Sequence, residues 1–385
     1  MKAFGVVAEF NPFHGGHKYV IEQGRILTGC DVCVCVMSGN FVQRGGPAVF
    51  SKWERAEEAV RGGADLVIEL PVIYASSSAE IFAEGAVRTL FGTGGLSHLV
   101  FGSESGDTER LVKAAEILRI SSDKIDDILK EGLSEGKPYH AAAAEARERA
   151  GIDAELTSEP NDILALEYLK VLLKLNEENP GAGIRPVAVK RTGAGHHETA
   201  SDIRRELKKT EGGRLKAMEE NYWNLVRSRI LLGAQEDLEK IASAGEGLGN
   251  KLKKEIRYAE SMEDFVDRVK SKRYPYTRIG RLLTQTLLGI ERGAAADFVT
   301  YVRPLAMNGT GGKFLKYIRK NELAGIPIID KVGRDSYFDE AAAEVIKKDV
   351  QASDIYNVIA GKNLYDESDF VKKTTIIKGA GALDL

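Results

Sequence analysis

Glu9-Phe10-Asn11-Pro12-Phe13-His14-Gly15-Gly16-His17 is the stretch from which the fold of this chain is predicted. It follows the short apolar run Ala3 to Ala8 and precedes a helix-like segment, so we expect a strand-to-helix junction. At such a junction the helix N-terminus offers unpaired backbone N–H groups, and two imidazoles add donors. Glycines there let a ligand lie against bare backbone. The pattern predicts a nucleotide phosphate site in which His14 and His17 are the catalytic side chains.

Two other interpretations of these histidines are a metal site and two incidental surface side chains. A metal pair on one helix face is spaced i, i+4, as in H-E-x-x-H. Here the spacing is i, i+3 on a turn, and no cysteine or carboxylate cluster lies nearby in the sequence. We therefore predict no metal ligands.

Composition describes an ordinary globular protein. Of the 385 residues, 43% are hydrophobic and 29% charged, and the length favours two or three domains. No apolar run reaches the roughly 18 residues of a membrane span, and no signal-peptide pattern opens the chain. Three cysteines clustered between residues 30 and 35 do not form a disulfide framework. We expect a cytoplasmic protein with no membrane contact.

The first half alternates strand-like and helix-like segments, which predicts an α/β fold with a doubly wound parallel sheet. Helices are predicted at 16–27, 51–62 and 77–91, and Ser51 with Glu54 forms a capping-box pattern. Mostly apolar runs predict buried strands at 3–10, 31–38, 64–70, 97–102 and 183–190. Pro186 places the last of these at an edge of the sheet.

In such a sheet the ligand lies at the carboxyl ends of the strands. Arg44 follows the second strand and is predicted to hold a phosphate or a carboxylate, unless it is simply a solvated loop residue. Gly102 at the end of the fourth strand leaves room for an adenine or ribose. After the fifth strand, Ser201 as helix cap and Arg204 one turn later predict a second phosphate contact, with a solvated helix arginine as the alternative. Asn161 is either an N-cap or a nucleotide contact.

The second half is basic in places. Between residues 250 and 281 ten basic residues stand against five acidic ones, with tyrosines interleaved. Basic and aromatic side chains suit RNA phosphates and splayed bases, although a charged helical surface gives the same pattern. We predict a helical insert at about 107–150, short strands at 299–306 and 325–330, and a mainly helical domain at 201–385 after a nucleotide-binding domain at 1–200. The candidate RNA contacts are Lys272, Arg273, Tyr274, Tyr276 and Arg278.

Seven segments resemble one family in order along most of the chain. They are VAEFNPFHGGHKY, SGNFVQRGGPA, GADLVIELP, FGSES, EPNDILALEYL, KRTGAGHHE and KRYPYTRIGRLL. The chain resembles the bacterial tRNA(Met) cytidine acetate ligase family, whose core is similar to the Rossmann-like nucleotidyltransferases with an H-x-G-H motif. The resemblance implies a ligase that uses acetate and ATP, with Mg²⁺ expected beside the ATP, to make acetyl-adenylate. The acetyl group then passes to the N4 amine of the wobble cytidine of elongator tRNA(Met).

The resemblance also implies which residues bind ATP. It places Gly102, Asn161 and Arg191 at the nucleotide, together with the run Val7, Ala8, Glu9, Phe10, Asn11, Pro12, Phe13, His14, Gly15, Gly16, His17, Lys18, Tyr19 and Val20. Ser201 and Arg204 match the family's second motif only partly. Apart from the resemblance, acetate needs a small pocket, which we predict to have an apolar wall of Phe10, Pro12 and Phe13, with Arg44 or a backbone N–H holding the carboxylate.

Two other functions remain open from the sequence. An adenylyltransferase building a dinucleotide-type cofactor shares the first loop but leaves the basic second half without a role. A non-catalytic, nucleotide-dependent RNA-binding protein predicts that the two histidines are dispensable for RNA function.

Overall fold

The computed structural model describes residues 1–137, 139–191, 200–245, 247–271, 274–298, 301–333, 336 and 340–378, and it leaves out the side chains of residues 139, 140, 200 and 201. The strands within these ranges are β1 (Ala3–Ala8), β2 (Val32–Ser38), β3 (Leu66–Leu70), β4 (Leu96–Ser103), β5 (Arg185–Lys190), β6 (Pro304–Met307) and β7 (Thr375–Ile376). They form one sheet in the order β5-β4-β1-β2-β3-β6-β7.

The predicted doubly wound parallel sheet is confirmed for β1 to β5, which all run parallel. Every residue of β2 and β3 is buried, as expected for strands covered by helices on both faces. Pro186 lies in the edge strand β5, where a missing N–H is tolerated. The strand order reverses at β1, which has β2 on one side and β4 on the other. The carboxyl ends of β1 and β4 therefore flank the crevice where sheets of this kind bind ligands.

The helices include every one that the sequence predicts in the first half. Ser51 and Glu54 form the expected capping box at α2: the Glu54 N–H donates to Ser51 Oγ at 3.3 Å, and the Ser51 N–H donates to Glu54 Oε2 at 2.9 Å. None of the described helices is long and apolar enough to cross a membrane. Their bounds are α1 (Gly15–Thr28), α2 (Lys52–Arg61), α3 (Val72–Ala75), α4 (Ala79–Phe91), α5 (Thr108–Ile120), α6 (Ser122–Ser134), α7 (Tyr139–Arg149), α8 (Ala154–Ser158), α9 (Pro160–Glu178), α10 (Ala200–Thr210), α11 (Gly212–Leu232), α12 (Gln235–Lys240), α13 (Leu248–Glu255), α14 (Met262–Val269), α15 (Tyr276–Leu288), α16 (Gly309–Lys320) and α17 (Glu340–Ala360).

The second half is mainly helical, and α5 to α7 show that the segment predicted as an insert is helical; that it forms an insert stays a prediction. The short strand predicted at 299–306 is found as β6, which pairs antiparallel with β3 and so extends the sheet of the first half. The strand predicted at 325–330 is wrong, because that segment adds only one bridge, between Ile328 and Val302. The division at residue 200 stays a prediction.

A buried charge cluster joins the two halves beside β3. Lys52 Nζ donates to Glu69 Oε1 at 2.7 Å and to Asp369 Oδ2 at 2.8 Å, and all three side chains are at most 3% exposed. Arg303 donates to the same two carboxylates, each at 3.0 Å. Burial by itself would raise the pKa of Asp369, but Arg303 and Lys52 together outweigh burial and lower this pKa to about 2. Removing one member would leave an uncompensated buried charge.

Candidate nucleotide-binding site

His14 and His17 form a reciprocal cap at the start of α1. His14 is the N-cap residue, and its Nδ1 accepts from the Gly16 N–H at 3.0 Å. The His14 N–H in turn donates to Nδ1 of His17 at 3.3 Å. A neutral imidazole that accepts through Nδ1 carries its proton on Nε2. The cap therefore assigns an Nε2–H donor to each ring.

His17 stays neutral in this position. Burial, with smaller contributions from His14 and Arg191, holds the pKa of His17 well below its usual value. The two imidazole rings lie 3.8 Å apart between centroids, so a charge on one would oppose a charge on the other. A neutral imidazole can donate its Nε2–H to a phosphate, and it carries no second proton that would have to be removed.

The glycine and aromatic residues of the loop shape the cap. A Cβ at Gly16 would lie 2.9 Å from Cε1 of His14, so this glycine is needed for the fit of the ring. That is a different reason from ligand access, for which the sequence suggested it. Phe10 adopts the left-handed φ of 46°, which is rare outside glycine. Its ring is held edge-on to Phe13 at 5.1 Å and to His17 at 4.9 Å.

The other members of the predicted ATP run are divided between core and surface. Val7 and Ala8 end β1, and Pro12 is buried. Gly15 and Lys18 are exposed, and Lys18 pairs with Glu22 at 3.7 Å. Tyr19 and Val20 are partly buried on α1, where they pack against the core under the helix.

Gly102 lies between Val20 and Arg191, two other residues predicted to bind ATP, and it places no side chain in the space between them. A Cβ built on it would lie 3.6 Å from Cγ2 of Val20 and 3.7 Å from Cγ of Arg191. The Arg191 N–H donates to the Ser103 carbonyl at 2.8 Å, which fixes the chain after β5 beside the end of β4. Because Arg191 also lowers the pKa of His17, its charge lies near the imidazoles. The switch point thus combines these three residues with the histidines.

Asn161 does not cap α9, so that interpretation is wrong: the N-cap is Glu159. Instead, Nδ2 of Asn161 donates to Glu104 Oε1 at 2.5 Å, and the Asp162 N–H donates to Glu104 Oε2 at 3.0 Å. The buried Asp162 carboxylate accepts in return from the N–H groups of Glu104 and Ser105, both at 3.1 Å. These bonds fasten the start of α9 to the loop after β4. Glu104 and Asp162 stood in the quoted motifs FGSES and EPND, yet sequence reasoning assigned them no role.

The charges of Arg44 and Arg204 both interact with the Glu9 carboxylate. Arg204 Nη1 donates to the Asn11 carbonyl at 2.6 Å, so α10 contacts the first loop. Glu9 Oε1 accepts from the Gln43 N–H at 2.6 Å. Burial raises the pKa of Glu9 although Arg55, Arg44 and Arg204 oppose the rise. Burial and Arg44 lower the pKa of Arg204, because two like charges face each other there.

Ser201 lies inside α10, which the structure describes from Ala200 onward, so its backbone is helical and does not have the extended conformation of an N-cap. Its hydroxyl is outside the described atoms. Arg204 falls one turn into the same helix, as predicted.

Arg55 is the main residue of this site that sequence reasoning missed. It is fully buried, and it donates to the carbonyls of Glu9 at 2.5 Å, Ser38 at 3.1 Å and Phe50 at 3.0 Å, and also to that of Gly39. It thereby ties the carboxyl ends of β1 and β2 together. Burial lowers the pKa of Arg55 to about 10, so it remains charged. A single arginine inside an amphipathic helix gives no sequence signal for this role.

The candidate RNA contacts separate into exposed and buried residues. Tyr276 opens α15 and is 65% exposed, whereas Tyr274 is 8% exposed and packs in the helical core. The Arg278 guanidinium covers the Tyr274 ring at 5.0 Å from its centroid. Base stacking therefore fits Tyr276 and not Tyr274. Lys272 and Arg273 lie outside the described residues.

Known proteins similar to this chain agree with one another. The sequence profile of the HIGH Nucleotidyl Transferase family matches residues 1–369. The tRNA(Met) cytidine acetate ligase of Caldanaerobacter subterraneus subsp. tengcongensis is 35% identical, over 94% of this chain and 96% of its own length. That of Clostridium novyi is 33% identical, over 98% and 100%. The crystal structure of Thermotoga maritima TmcAL bound with alpha-thio ATP superposes with a TM-score of 0.86 at 31% identity, covering 98% of this chain and 100% of that one.

Proposed function

This chain belongs to the HIGH nucleotidyl transferase family and, within it, to the tRNA(Met) cytidine acetate ligases, and from that premise we propose how its residues carry the reaction. It is an ATP-dependent ligase acting on tRNA(Met). Residues 1–200, together with Arg204 on α10, activate acetate as acetyl-adenylate, and the remainder of residues 201–385 binds the tRNA. The acetyl group is transferred to the N4 amine of the wobble cytidine of elongator tRNA(Met).

One observation carries this proposal: the mutual cap gives both His14 and His17 an Nε2–H donor at the start of α1. This helix begins at the switch point of the sheet, and its Val20 lies beside Gly102 next to Arg191. In the first step an acetate oxygen attacks the α-phosphorus of ATP, the bond from that phosphorus to the bridging oxygen breaks, and pyrophosphate leaves. Negative charge grows on the leaving group, and preorganised donors stabilise it most effectively. The imidazoles donate to it, and Arg191 adds positive charge.

The adenosine lies over Gly102, where the missing side chain admits a ring or ribose between Val20 and Arg191. Asn161 lies at the rim, and Glu104 orients its amide so that its carbonyl oxygen faces away from that carboxylate. Arg55 keeps the ends of β1 and β2 in register under the nucleotide.

Acetate binds next to Arg44 and Arg204. Two guanidinium groups beside one partly buried carboxylate, Glu9, leave local positive charge for a second small anion. Phe10, Pro12 and Phe13 supply the apolar wall for the methyl group. Mg²⁺ brought in with ATP would neutralise part of the phosphate charge. Among the described residues no three His, Cys, Asp or Glu side chains are grouped to hold an ion.

In the second step the N4 amine of the cytidine attacks the carbonyl carbon of acetyl-adenylate. The bond from that carbon to the phosphate oxygen breaks, AMP leaves, and the amine loses a proton. The cytosine must leave its stack to reach the crevice. Tyr276 and Arg278 contact the RNA at the exposed start of α15. The tRNA substrate and the three free thiols favour the cytoplasm as the place of action.

Two assays test the proposal. Acetate-dependent exchange of labelled pyrophosphate into ATP measures the first step without RNA. Transfer of labelled acetate to tRNA, dependent on ATP, measures both steps. Exchange without acetate, or formation of a dinucleotide from a phosphorylated acceptor, would point to an adenylyltransferase instead. RNA binding with no exchange would point to a non-catalytic protein.

A further inference from the structure

Helix α15 has an exposed start and a buried middle. Tyr276 at its first position is 65% exposed, whereas Thr284 and Gln285 are at most 1% exposed. The buried middle of α15 packs not only against other helices of the second half of the chain but also against the first half. It packs against residues 40–47, the loop after β2 that carries Arg44, which we call the Arg44 loop.

The helix and the Arg44 loop touch through backbone. A Cβ on Gly45 would lie 2.1 Å from the carbonyl carbon of Gly280, and a Cβ on Gly280 would lie 2.5 Å from the Arg44 carbonyl oxygen. Gly45 has φ of 87°, a conformation that side chains also disfavour. Neither position has room for a methyl group. The backbone of Arg44 is therefore placed directly by α15.

Buried polar bonds hold the same contact. The Gly46 N–H donates to Thr284 Oγ1 at 2.7 Å, and that hydroxyl also lies 3.0 Å from the Tyr222 hydroxyl of α11. Nε2 of Gln285 donates to the Ser76 carbonyl at 2.9 Å, one residue before the carbonyl of Ser77 that accepts from Gln43. Because the Gly46 N–H is partly buried, losing its acceptor is costly, and the loop is therefore held in one position.

The far side of the Arg44 loop reaches the acetate side of the site, because the Gln43 N–H donates to Glu9. We infer that Gly280 and Thr284 are positioning residues for acetate activation, acting through Arg44, and that α15 thereby joins the RNA-facing surface to the adenylation site. This inference rests on the proposed function. It assigns the contact between α15 and the Arg44 loop a role in acetate binding, which a purely structural contact would not have.

The test measures Michaelis constants for acetate and for ATP in the pyrophosphate exchange assay, without RNA. Thr284→Val removes the acceptor of the Gly46 N–H in a side chain of the same shape, and Gly280→Ala pushes against the Arg44 carbonyl. Each should raise the KM for acetate about tenfold, as expected for loss of one well-placed hydrogen bond, while the KM for ATP changes less than about twofold. Thr284→Ser keeps the hydroxyl and should restore the wild-type KM for acetate.

Two controls separate positioning from general damage. Gly309→Ala adds a methyl group at an exposed helix start where no atom lies within 4 Å, and it should change neither constant. In an Arg44→Ala background, Thr284→Val should have no further effect on the KM for acetate, because residues acting through one group are not additive.

Three results would overturn the inference while the wild type still exchanges pyrophosphate: an unchanged KM for acetate in both variants, equal increases for acetate and ATP, or full additivity with Arg44→Ala. A wild type that shows no acetate-dependent exchange would instead contradict the proposed function itself.

Discussion

Converting the two histidines into an ordinary capping box separates their structural contribution from their chemical one. The double variant His14→Ser/His17→Gln has the sequence Ser-Gly-Gly-Gln, in which Ser accepts from the first helical turn and Gln accepts from the N-cap N–H. Both bonds of the present cap, at 3.0 Å and 3.3 Å, then have replacements. Both Nε2–H donors are lost.

The two effects differ in size. Losing a cap costs about 1 kcal/mol, but here it is replaced, so the remaining loss comes from the ring contact of His17 with Phe10 at 4.9 Å. An aromatic pair contributes roughly 0.5–1.5 kcal/mol, so we expect the free energy of unfolding to fall by about 1 kcal/mol. Removing one preorganised donor to a developing anion costs about 10²–10³ in rate. Because the losses of the two Nε2–H donors are not additive, we expect the rate of pyrophosphate exchange to fall by at least about 10³.

Urea unfolding and acetate-dependent pyrophosphate exchange measure the two effects on the same preparations. Asp107→Ala is the matched control, since Asp107 caps α5 by accepting from the Arg110 N–H at 3.0 Å. It should lose about 1 kcal/mol of stability and keep its exchange rate. Exchange within tenfold of wild type in the double variant would refute the donor role. A loss of stability above about 4 kcal/mol would mean that the pair is chiefly structural.

Three further outcomes are expected. Lys52→Met leaves Glu69 and Asp369 with Arg303 as their one shared cation, so one buried negative charge is uncompensated, and the free energy of unfolding in urea should fall by about 3–5 kcal/mol. Lys130→Met at an exposed pair should change it by less than about 0.5 kcal/mol, and equal effects of the two variants would contradict the role of burial. Because folding lowers the pKa of His17, the unfolded chain binds the proton first, and the free energy of unfolding should fall as pH drops below about 6.5. His17→Gln should flatten this dependence on pH. Parallel curves of stability against pH for the variant and the wild type would contradict the prediction. Tyr276→Ala with Arg278→Ala should weaken tRNA binding and reduce its salt dependence while exchange without RNA persists; loss of exchange would show that the two halves do not divide the work.

The sheet and its switch point follow from the sequence because they depend on local patterns. Apolar runs buried on both faces, and the helices between them, leave few topologies for a parallel sheet. Pro186 marks an edge strand through its missing N–H, and Ser51 marks a helix start through its spacing to Glu54. The two histidines likewise share one local turn, so their proximity is contained in the motif.

Contacts between distant segments leave no such pattern. Arg55 reaches carbonyls at the ends of two strands, and only the fold brings them within its reach. The amide of Asn161 donates a hydrogen bond to Glu104, 57 positions away. The sequence suggested a helix cap at Asn161, whereas the structure has a bond between two distant segments. Tyr274 and Tyr276 look equivalent in a basic stretch, yet Tyr274, in the connection before α15, is buried, whereas Tyr276, at the first position of α15, is exposed. Burial of this kind depends on tertiary packing, which a single sequence does not show.

The position of label in the product tests acetyl transfer to the wobble cytidine most directly. The protein is incubated with labelled acetate, ATP and elongator tRNA(Met), and the RNA is digested and its nucleosides separated. We predict label only in N4-acetylcytidine from the wobble position, with one AMP formed per acetyl group and at least about 10³-fold less label with His14→Ser/His17→Gln. Label elsewhere in the RNA, label without ATP, or no label while acetate-dependent exchange proceeds would contradict this prediction.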